Sequence, residues 1–181
     1  MNNEKAQQIR NLIKKKKSNL CLSLDIPEWN KFFSVLKIVA DKIILLKVHL
    51  DIMENLNVEN LSYLHELKYK YKFFIWEDRK LCDIGHTNTL IINKLLSYKY
   101  AVYTIKNNLN KIIYTNLIDY ISILPIGGEL SLSSLLHLDI GIFLLCQMSS
   151  QGNLFNNNLT HNILQLPKIY NNQIAGIINQ D

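Results

Sequence analysis

Short apolar runs alternate with helical patterns along the first half of the chain. The runs are rich in branched and aromatic residues, which favours buried strands, and they lie at about Asn19–Leu24, Ile43–Val48 and Phe73–Trp76. The segments after them have the apolar spacing of helices and lie at about Trp29–Ala40, Leu61–Tyr69 and Thr87–Leu96. This alternation is typical of βαβ units that build a parallel sheet.

The second half continues the pattern less regularly. Further strands are predicted at about Asp119–Leu124, Ile140–Cys146 and Gln173–Ile178. A short helix is predicted after the Asn-rich loop Gly152–Asn158, and we expect Pro167 to interrupt it. Tyr100–Ile105 fits either a strand or a helix, and Asn107–Asn110 is a polar break. The units have the size found in a TIM (β/α)8-type barrel, of which about six are present, so we expect an incomplete α/β barrel.

Polar, titratable residues follow three of the predicted strands. Ser23 and Asp25 end the first, Lys47 and His49 end the second, and the charged run Glu77–Asp83 ends the third. In an α/β barrel the catalytic groups lie at the carboxyl ends of the strands, so this placement predicts a functional site. The alternative is a charged loop whose ions only pair with one another.

Length and composition indicate one folded domain over residues 1–181, with 48% hydrophobic and 19% charged residues. The net charge of +5 owes much to Lys14–Lys17. That run could bind nucleic acid or a membrane, but it lacks interleaved aromatic residues, which favours a solvated helix end. There is no apolar run of about 18 residues, and Met1–Lys17 has no apolar centre of a signal peptide. We therefore predict a cytoplasmic protein with no nucleic-acid or membrane partner.

Cysteine and histidine spacing gives no sign of a metal site. Cys21, Cys82 and Cys146 form no C-x-x-C pair, and each lies in or beside a strand-like run, which predicts small buried side chains in a reducing compartment. The five histidines show no ligand spacing. We predict no metal.

Four motifs, in this order, resemble the orotidine 5′-monophosphate decarboxylase family in its eukaryotic-type branch. They are Ser23–Asp25, Lys47–Asp51, Glu77–Gly85 and Met148–Gly152, of which the third is highly specific. The resemblance covers nearly all of this chain. It covers only about the first two thirds to three quarters of a family barrel. It therefore implies a C-terminally shortened barrel without the family's closing Gln/Tyr loop or its phosphate-gripping Gly-Arg.

The resemblance implies decarboxylation of orotidine 5′-monophosphate to UMP in de novo pyrimidine biosynthesis, without a metal or an organic cofactor. Lys80 would stabilise the carbanion at carbon six and then protonate it. Asp78 would crowd the substrate carboxylate, and it points to the same side of a strand as Lys80. Lys47 and Asp83 would complete a network in which the charges alternate.

The resemblance also implies the binding residues. Ser23 and Ser149 would contact the pyrimidine, whereas Asp25 and Lys47 would hold the ribose hydroxyls. Asp83 and Thr87 would reach the site of a second copy, so a homodimer is expected. His49 either supports Lys47 or is a satisfied histidine at a strand end.

Several positions depart from the family pattern. His86 replaces the usual Asn, Cys82 replaces a small residue, and Gln147 replaces an acid. Roughly ten extra residues lie between Ile105 and Leu117, which we interpret as an insertion. Two other functions stay open: a catalytically impaired remnant that binds nucleotides or dimerises, and a related magnesium-dependent barrel enzyme, such as a sugar-phosphate decarboxylase or an aldolase-like synthase.

Overall fold

The computed structural model describes residues 3–106, 109–170 and 173–180. The helices are α1 (Glu4–Lys16), α2 (Trp29–Val39), α3 (Val58–Tyr71), α4 (Gly85–Leu96), α5 (Glu129–Ser133) and α6 (Asn157–Ile169). The strands are β1 (Cys21–Ser23), β2 (Leu45–Val48), β3 (Phe74–Leu81), β4 (Lys99–Lys106), β5 (Leu109–Asn116), β6 (Tyr120–Ile123), β7 (Gly141–Leu145) and β8 (Ile174–Ile178). Short 3-10 turns follow β2 at Leu50–Ile52 and β6 at Pro125–Gly127.

Six of the strands form one parallel sheet in the order β1-β2-β3-β6-β7-β8. Each strand therefore pairs with the next one along the chain once β4 and β5 are set aside. All six fall where the apolar runs predict strands. The carboxyl ends of these strands lie at one edge of the sheet, which brings the loops after them together.

Strands β4 and β5 form a separate antiparallel hairpin, paired from Lys99 with Asn116 to Lys106 with Leu109. Tyr100–Ile105 is thus a strand rather than a helix. The polar break at Asn107–Asn110 lies partly outside the described residues. The segment that we interpret as an insertion supplies β5, the return strand of this hairpin.

The main hydrophobic core lies on the outer face of the sheet. Leu46, Val48 and Ile75 are fully buried there, in one cluster with residues of α2 and α3 such as Phe32 and Leu64. Side chains alternate along a strand, so the residues between them point to the opposite, inner face of the sheet. This inner face carries the charged cluster described below.

Helix α1 crosses the amino ends of the strands. The Tyr120 hydroxyl donates to the Lys5 carbonyl at 2.9 Å, and the Lys16 ammonium donates to the Ile43 carbonyl at 2.7 Å. Gly141 permits this packing, because a β carbon there would lie 2.3 Å from the Tyr120 ring. The predicted helix end at Lys14–Lys17 is therefore observed, but Lys16 caps the carbonyl before β2 instead of being simply solvated.

Two further predictions are wrong. Pro167 does not interrupt α6, which runs to Ile169, because one missing N–H near the end of a helix removes a single hydrogen bond and Tyr170 still donates to Leu166. Cys21 and Cys82 are exposed, since β1 is an edge strand and Cys82 follows β3 in a turn, whereas Cys146 is buried as predicted. Within the described ranges, no helix combines the length and apolar character needed to cross a bilayer.

Candidate active site

A buried carboxylate lies between two lysines on the inner face of the sheet. The side chain of Asp78 in β3 is 4% exposed, and its Oδ2 accepts hydrogen bonds from the ammonium groups of Lys47 at 2.9 Å and Lys80 at 2.8 Å. Its Oδ1 accepts a hydrogen bond of 2.6 Å from the hydroxyl of Ser122 in β6. Three adjacent strands thus contribute to a single ion cluster.

The pairing of the strands explains this convergence. Lys47 lies opposite Trp76 in the β2–β3 register, and Asp78 is two residues further along the same face of β3. The β3–β6 register shifts between Glu77 and Leu81, and Lys80 has a left-handed φ of 51° inside this irregularity. Its side chain turns back towards Asp78 as a result.

The cluster keeps Asp78 ionised. Burial alone would raise the pKa of its carboxyl, but hydrogen bonds from Lys80, Ser122 and Lys47 outweigh that effect and hold the pKa below its ordinary value. A charged carboxylate therefore lies between two charged amines, and the net charge of the three groups is positive. Such a cluster attracts an anionic ligand.

A second network lies behind the first, on the outer face of β3. The Glu77 carboxyl is fully buried, and its Oε2 accepts the Leu50 N–H at 3.0 Å. The Arg79 guanidinium lies 3.8 Å from Oε1 of Glu77 and 3.2 Å from the carboxylate of Asp51. Burial raises the pKa of Glu77 to about 7.

Three residues here have the chemistry of metal ligands. The side-chain donor atoms of His49, Asp51 and Glu77 lie within 4.8 Å of one another. The guanidinium of Arg79 already lies against both carboxylates. The arrangement is therefore better explained by ion pairing to Arg79 than by a divalent cation.

The buried Glu77 carboxyl predicts a specific pH dependence of stability. Its pKa is about 7 in the folded protein and 4.5 ordinarily, so the folded state holds a proton that the unfolded state releases. The Glu77 contribution to the stability of the natural chain is therefore lost as pH rises from 4.5 to 7, whereas His65, whose pKa burial lowers to about 4, contributes with the opposite sign. The Glu77→Gln variant lacks this ionisation, so its advantage over the natural chain should grow over that window by up to about 3 kcal/mol.

Urea unfolding at a series of pH values measures the effect. Glu66→Gln is the matched control, because Glu66 is exposed on α3. An advantage of Glu77→Gln that does not change with pH, or that falls as pH rises, would contradict the assignment.

The other predicted binding residues lie at the same end of the sheet. Ser23 pairs with Lys47 in register, and Nε2 of His49 is 3.8 Å from Oδ2 of Asp78. Asp25 and Ser149 are exposed in the loops that follow β1 and β7, and Thr87 is half-buried in the first turn of α4. Of these five residues, His49 is the one whose side chain lies within ion-pairing distance of Asp78.

Asp83 is set apart from the cluster. It is exposed in the turn after β3, where its Oδ1 accepts the Ile84 N–H at 2.7 Å. Its carbonyl accepts hydrogen bonds from Asn88 at 2.7 Å and Ser131 at 2.8 Å. Within the part of the chain that the structure describes, its carboxylate forms no ion pair. One chain therefore brings together Lys47, Asp78 and Lys80, but not Asp83.

The sequence interpretation missed Ser122. It is the one polar side chain between Tyr120 and Ile123, a run in which all four residues are buried. A hydroxyl inside a buried strand needs a hydrogen-bond partner, so this pattern could have indicated a contact with the charged motif.

A cleft of about 1050 Å³ lies at the opposite end of the sheet, between α1, the end of α3 and the hairpin. The most buried charged side chains in this cleft already form ion pairs with each other. The Lys68 ammonium binds Asp119 at 2.8 Å and two backbone carbonyls, and Lys5 pairs with Asp139. Since barrels place their chemistry at the carboxyl ends of the strands, the cluster around Asp78 is the candidate active site.

Comparison with known proteins gives the same assignment from sequence. Residues 18–178 match the model of the orotidine 5′-phosphate decarboxylase / HUMPS family. The chain is 29% identical over 177 residues to the orotidine 5′-phosphate decarboxylase of Kluyveromyces marxianus, covering 97% of this chain and 63% of that protein. It is 30% identical over 181 residues to that of Eremothecium gossypii, covering 99% and 64%. The chain thus spans just under two thirds of the length of these curated relatives.

Solved structures show the shared fold. The orotidine 5′-phosphate decarboxylase of Pyrococcus horikoshii superposes with a TM-score of 0.62 at 24% identity, covering 84% of this chain and 63% of that one. That of Methanocaldococcus jannaschii gives 0.65 at 19% identity, covering 88% and 69%. The prediction of a TIM-type barrel that is incomplete relative to such structures is confirmed. With the family match over residues 18–178, these findings show that the chain belongs to the orotidine 5′-phosphate decarboxylase / HUMPS family.

Proposed function

We propose that this protein decarboxylates orotidine 5′-monophosphate to UMP in pyrimidine biosynthesis. The observation that carries the proposal is the Asp78 carboxylate, held at 2.9 and 2.8 Å between the ammonium groups of Lys47 and Lys80. Curated relatives that match 97% of the chain are named for this activity. Since the chain spans under two thirds of their length, the activity of the whole protein is a proposal.

The reaction breaks the bond between carbon six of the pyrimidine and the substrate carboxylate. The electron pair stays on carbon six, and carbon dioxide leaves. The Lys80 ammonium stabilises this negative charge and transfers a proton to carbon six, after which the neutral amine takes up a proton from water. Asp78, kept ionised by its hydrogen bonds, disfavours a second carboxylate beside it and so favours loss of carbon dioxide.

The surrounding side chains would bind the rest of the substrate. Ser23 and Ser149 hydrogen-bond the pyrimidine, and Asp25 and Lys47 hold the ribose hydroxyls. His49 lies near Asp78 and helps to fix Lys47. The residues at this end of the sheet that the structure describes thus offer both donors and acceptors to a nucleotide.

We also propose that two copies pair through the surface around Asp83. Ile84 is 67% exposed and Leu130 is 84% exposed, so both leave apolar surface for a partner to cover. The two segments touch, because a β carbon at Gly85 would lie 3.4 Å from the Leu130 carbonyl. Each copy that covers this patch on its partner would receive the partner's Asp83 and Thr87 at its own ion cluster.

Incubation with orotidine 5′-monophosphate tests the proposal, with the ultraviolet spectrum followed over time and UMP identified by chromatography. We expect UMP to form at the same rate with and without a metal chelator. Loss of turnover on adding chelator would favour a magnesium-dependent relative. Absence of UMP in both arms, with UMP binding detected by calorimetry, would replace the proposal with that of a nucleotide-binding module.

A further inference from the structure

The Ser122 hydroxyl makes hydrogen bonds to both Asp78 and Lys80 of the candidate site. It is fully buried, donates to Oδ1 of Asp78 at 2.6 Å, and accepts the backbone N–H of Lys80 at 3.1 Å. Both of these bonds join β6 to β3 where regular pairing stops. Trp76 and Glu77 are in register with β6, but the next paired residue is Leu81. The Ser122 hydroxyl therefore accepts the Lys80 N–H, which the pairing of β3 with β6 leaves without a backbone acceptor.

The backbone of Lys80 needs such a restraint. Its φ of 51° is left-handed, which is unfavourable for a residue with a side chain. The other described residues, glycine apart, that have a left-handed φ are Lys17, Asn55 and Lys72; all three lie outside the strands, whereas Lys80 lies within β3. Strained backbone in a strand persists when its surroundings hold it in place. The hydrogen bond to Ser122 is such a contact.

We propose that Ser122 is a positioning residue that fixes the carboxylate of Asp78 and the backbone of Lys80 in one geometry. This inference rests on the proposed decarboxylation. Oδ2 of Asp78 is occupied by the two ammonium groups, so the bond from Ser122 to Oδ1 sets the rotation of the carboxylate. The same hydroxyl oxygen holds the turn from which the Lys80 side chain returns to Asp78. Ser122 acts through these two residues and transfers no proton itself.

The groups around Asp78 define what its titration will report. Loss of the Ser122 bond removes one of the contacts that keep the pKa of Asp78 low, while the other charges remain. The titratable groups that face it or interact with it electrostatically are Lys47, His49, Lys80, Glu77 and Cys21. These neighbouring groups stay the same in a Ser122 variant. A change in the pKa of Asp78 in that variant is therefore assigned to the loss of the Ser122 hydrogen bond.

The kinetic test compares Ser122→Ala with Ser122→Thr. We expect Ser122→Ala to lower kcat about 10- to 100-fold, as for loss of a hydrogen bond to a charged group, with KM changed less than threefold. The acid limb of the kcat/KM profile should move to higher pH, because Asp78 protonates more easily. Ser122→Thr keeps the hydroxyl and should recover most of kcat and the natural profile. Ser34→Ala removes an exposed serine hydroxyl on α2 and should change neither.

A second measurement needs no substrate. Carbon-13 spectra of aspartate-labelled protein follow the Asp78 carboxyl, which is assigned with an Asp78→Asn variant. We expect its pKa to rise in Ser122→Ala and to return in Ser122→Thr. An unchanged Asp78 titration in Ser122→Ala would overturn the inference, as would a loss of kcat explained by a lower unfolding midpoint with an unmoved acid limb. Should the natural protein form no UMP, the proposed function fails, and the titration still decides the role of Ser122.

Discussion

The Lys80→Ala variant is expected to form UMP at least about a thousand-fold more slowly than the natural protein, because general acid catalysis and stabilisation of a developing charge are lost together. Lys80 is the better placed of the two amines for this role. Its side chain is 33% exposed, whereas that of Lys47 is 21% exposed, so the Lys80 ammonium is the more accessible of the two to a substrate. Initial rates at saturating orotidine 5′-monophosphate measure the loss.

Two variants make this result specific. Lys80→Arg keeps a cation beside Asp78 but holds its proton too tightly to give it to carbon six, so it should remain nearly inactive. Lys31→Ala removes an exposed lysine that pairs with Glu28 and should keep the natural rate. Equal rates in Lys80→Ala and the natural protein would remove Lys80 from the mechanism.

The positions of the strands and helices follow from the local sequence, but some of the residues at which helices begin were not predicted. The strands were predicted because their branched and aromatic runs are buried in the sheet. Helix α3 begins at Val58, earlier than the predicted Leu61, because Asn57 caps it by accepting the Asn60 N–H at 2.8 Å. Asn156 caps α6 in the same way. Asparagines that look like loop residues in a sequence were therefore helix caps.

The site was predictable in position but not in detail. The spacing of Asp78 and Lys80 predicts that both side chains lie on one face of β3, and the two do meet, at 2.8 Å. The left-handed backbone of Lys80 and its bond to Ser122 depend on how β3 pairs with β6, whose residues lie about forty positions away. No local sequence pattern predicts how β3 pairs with β6. The exposure of Cys21 likewise depends on β1 lying at the edge of the sheet.

A mixture of Lys80→Ala and Asp83→Ala chains is expected to recover activity that neither variant has alone. In one chain the Asp83 carboxylate forms no ion pair among the described residues, although Lys47, Asp78 and Lys80 already meet. If Asp83 acts in the partner's site, a hybrid dimer contains one site with both natural residues. Random pairing of equal amounts gives half hybrid dimers, so about one quarter of all sites should be intact.

The control mixture combines Lys80→Ala with Asp78→Ala. Both of these residues belong to the same chain's cluster, so every site in the hybrid lacks one of them and no activity should return. Differently tagged chains, refolded together and purified through both tags, show that hybrids have formed. Purified hybrids of Lys80→Ala with Asp83→Ala should reach about half the natural rate per dimer, since one of their two sites is complete. Inactive hybrids, or full activity of Asp83→Ala by itself, would show that Asp83 does not serve a neighbouring site.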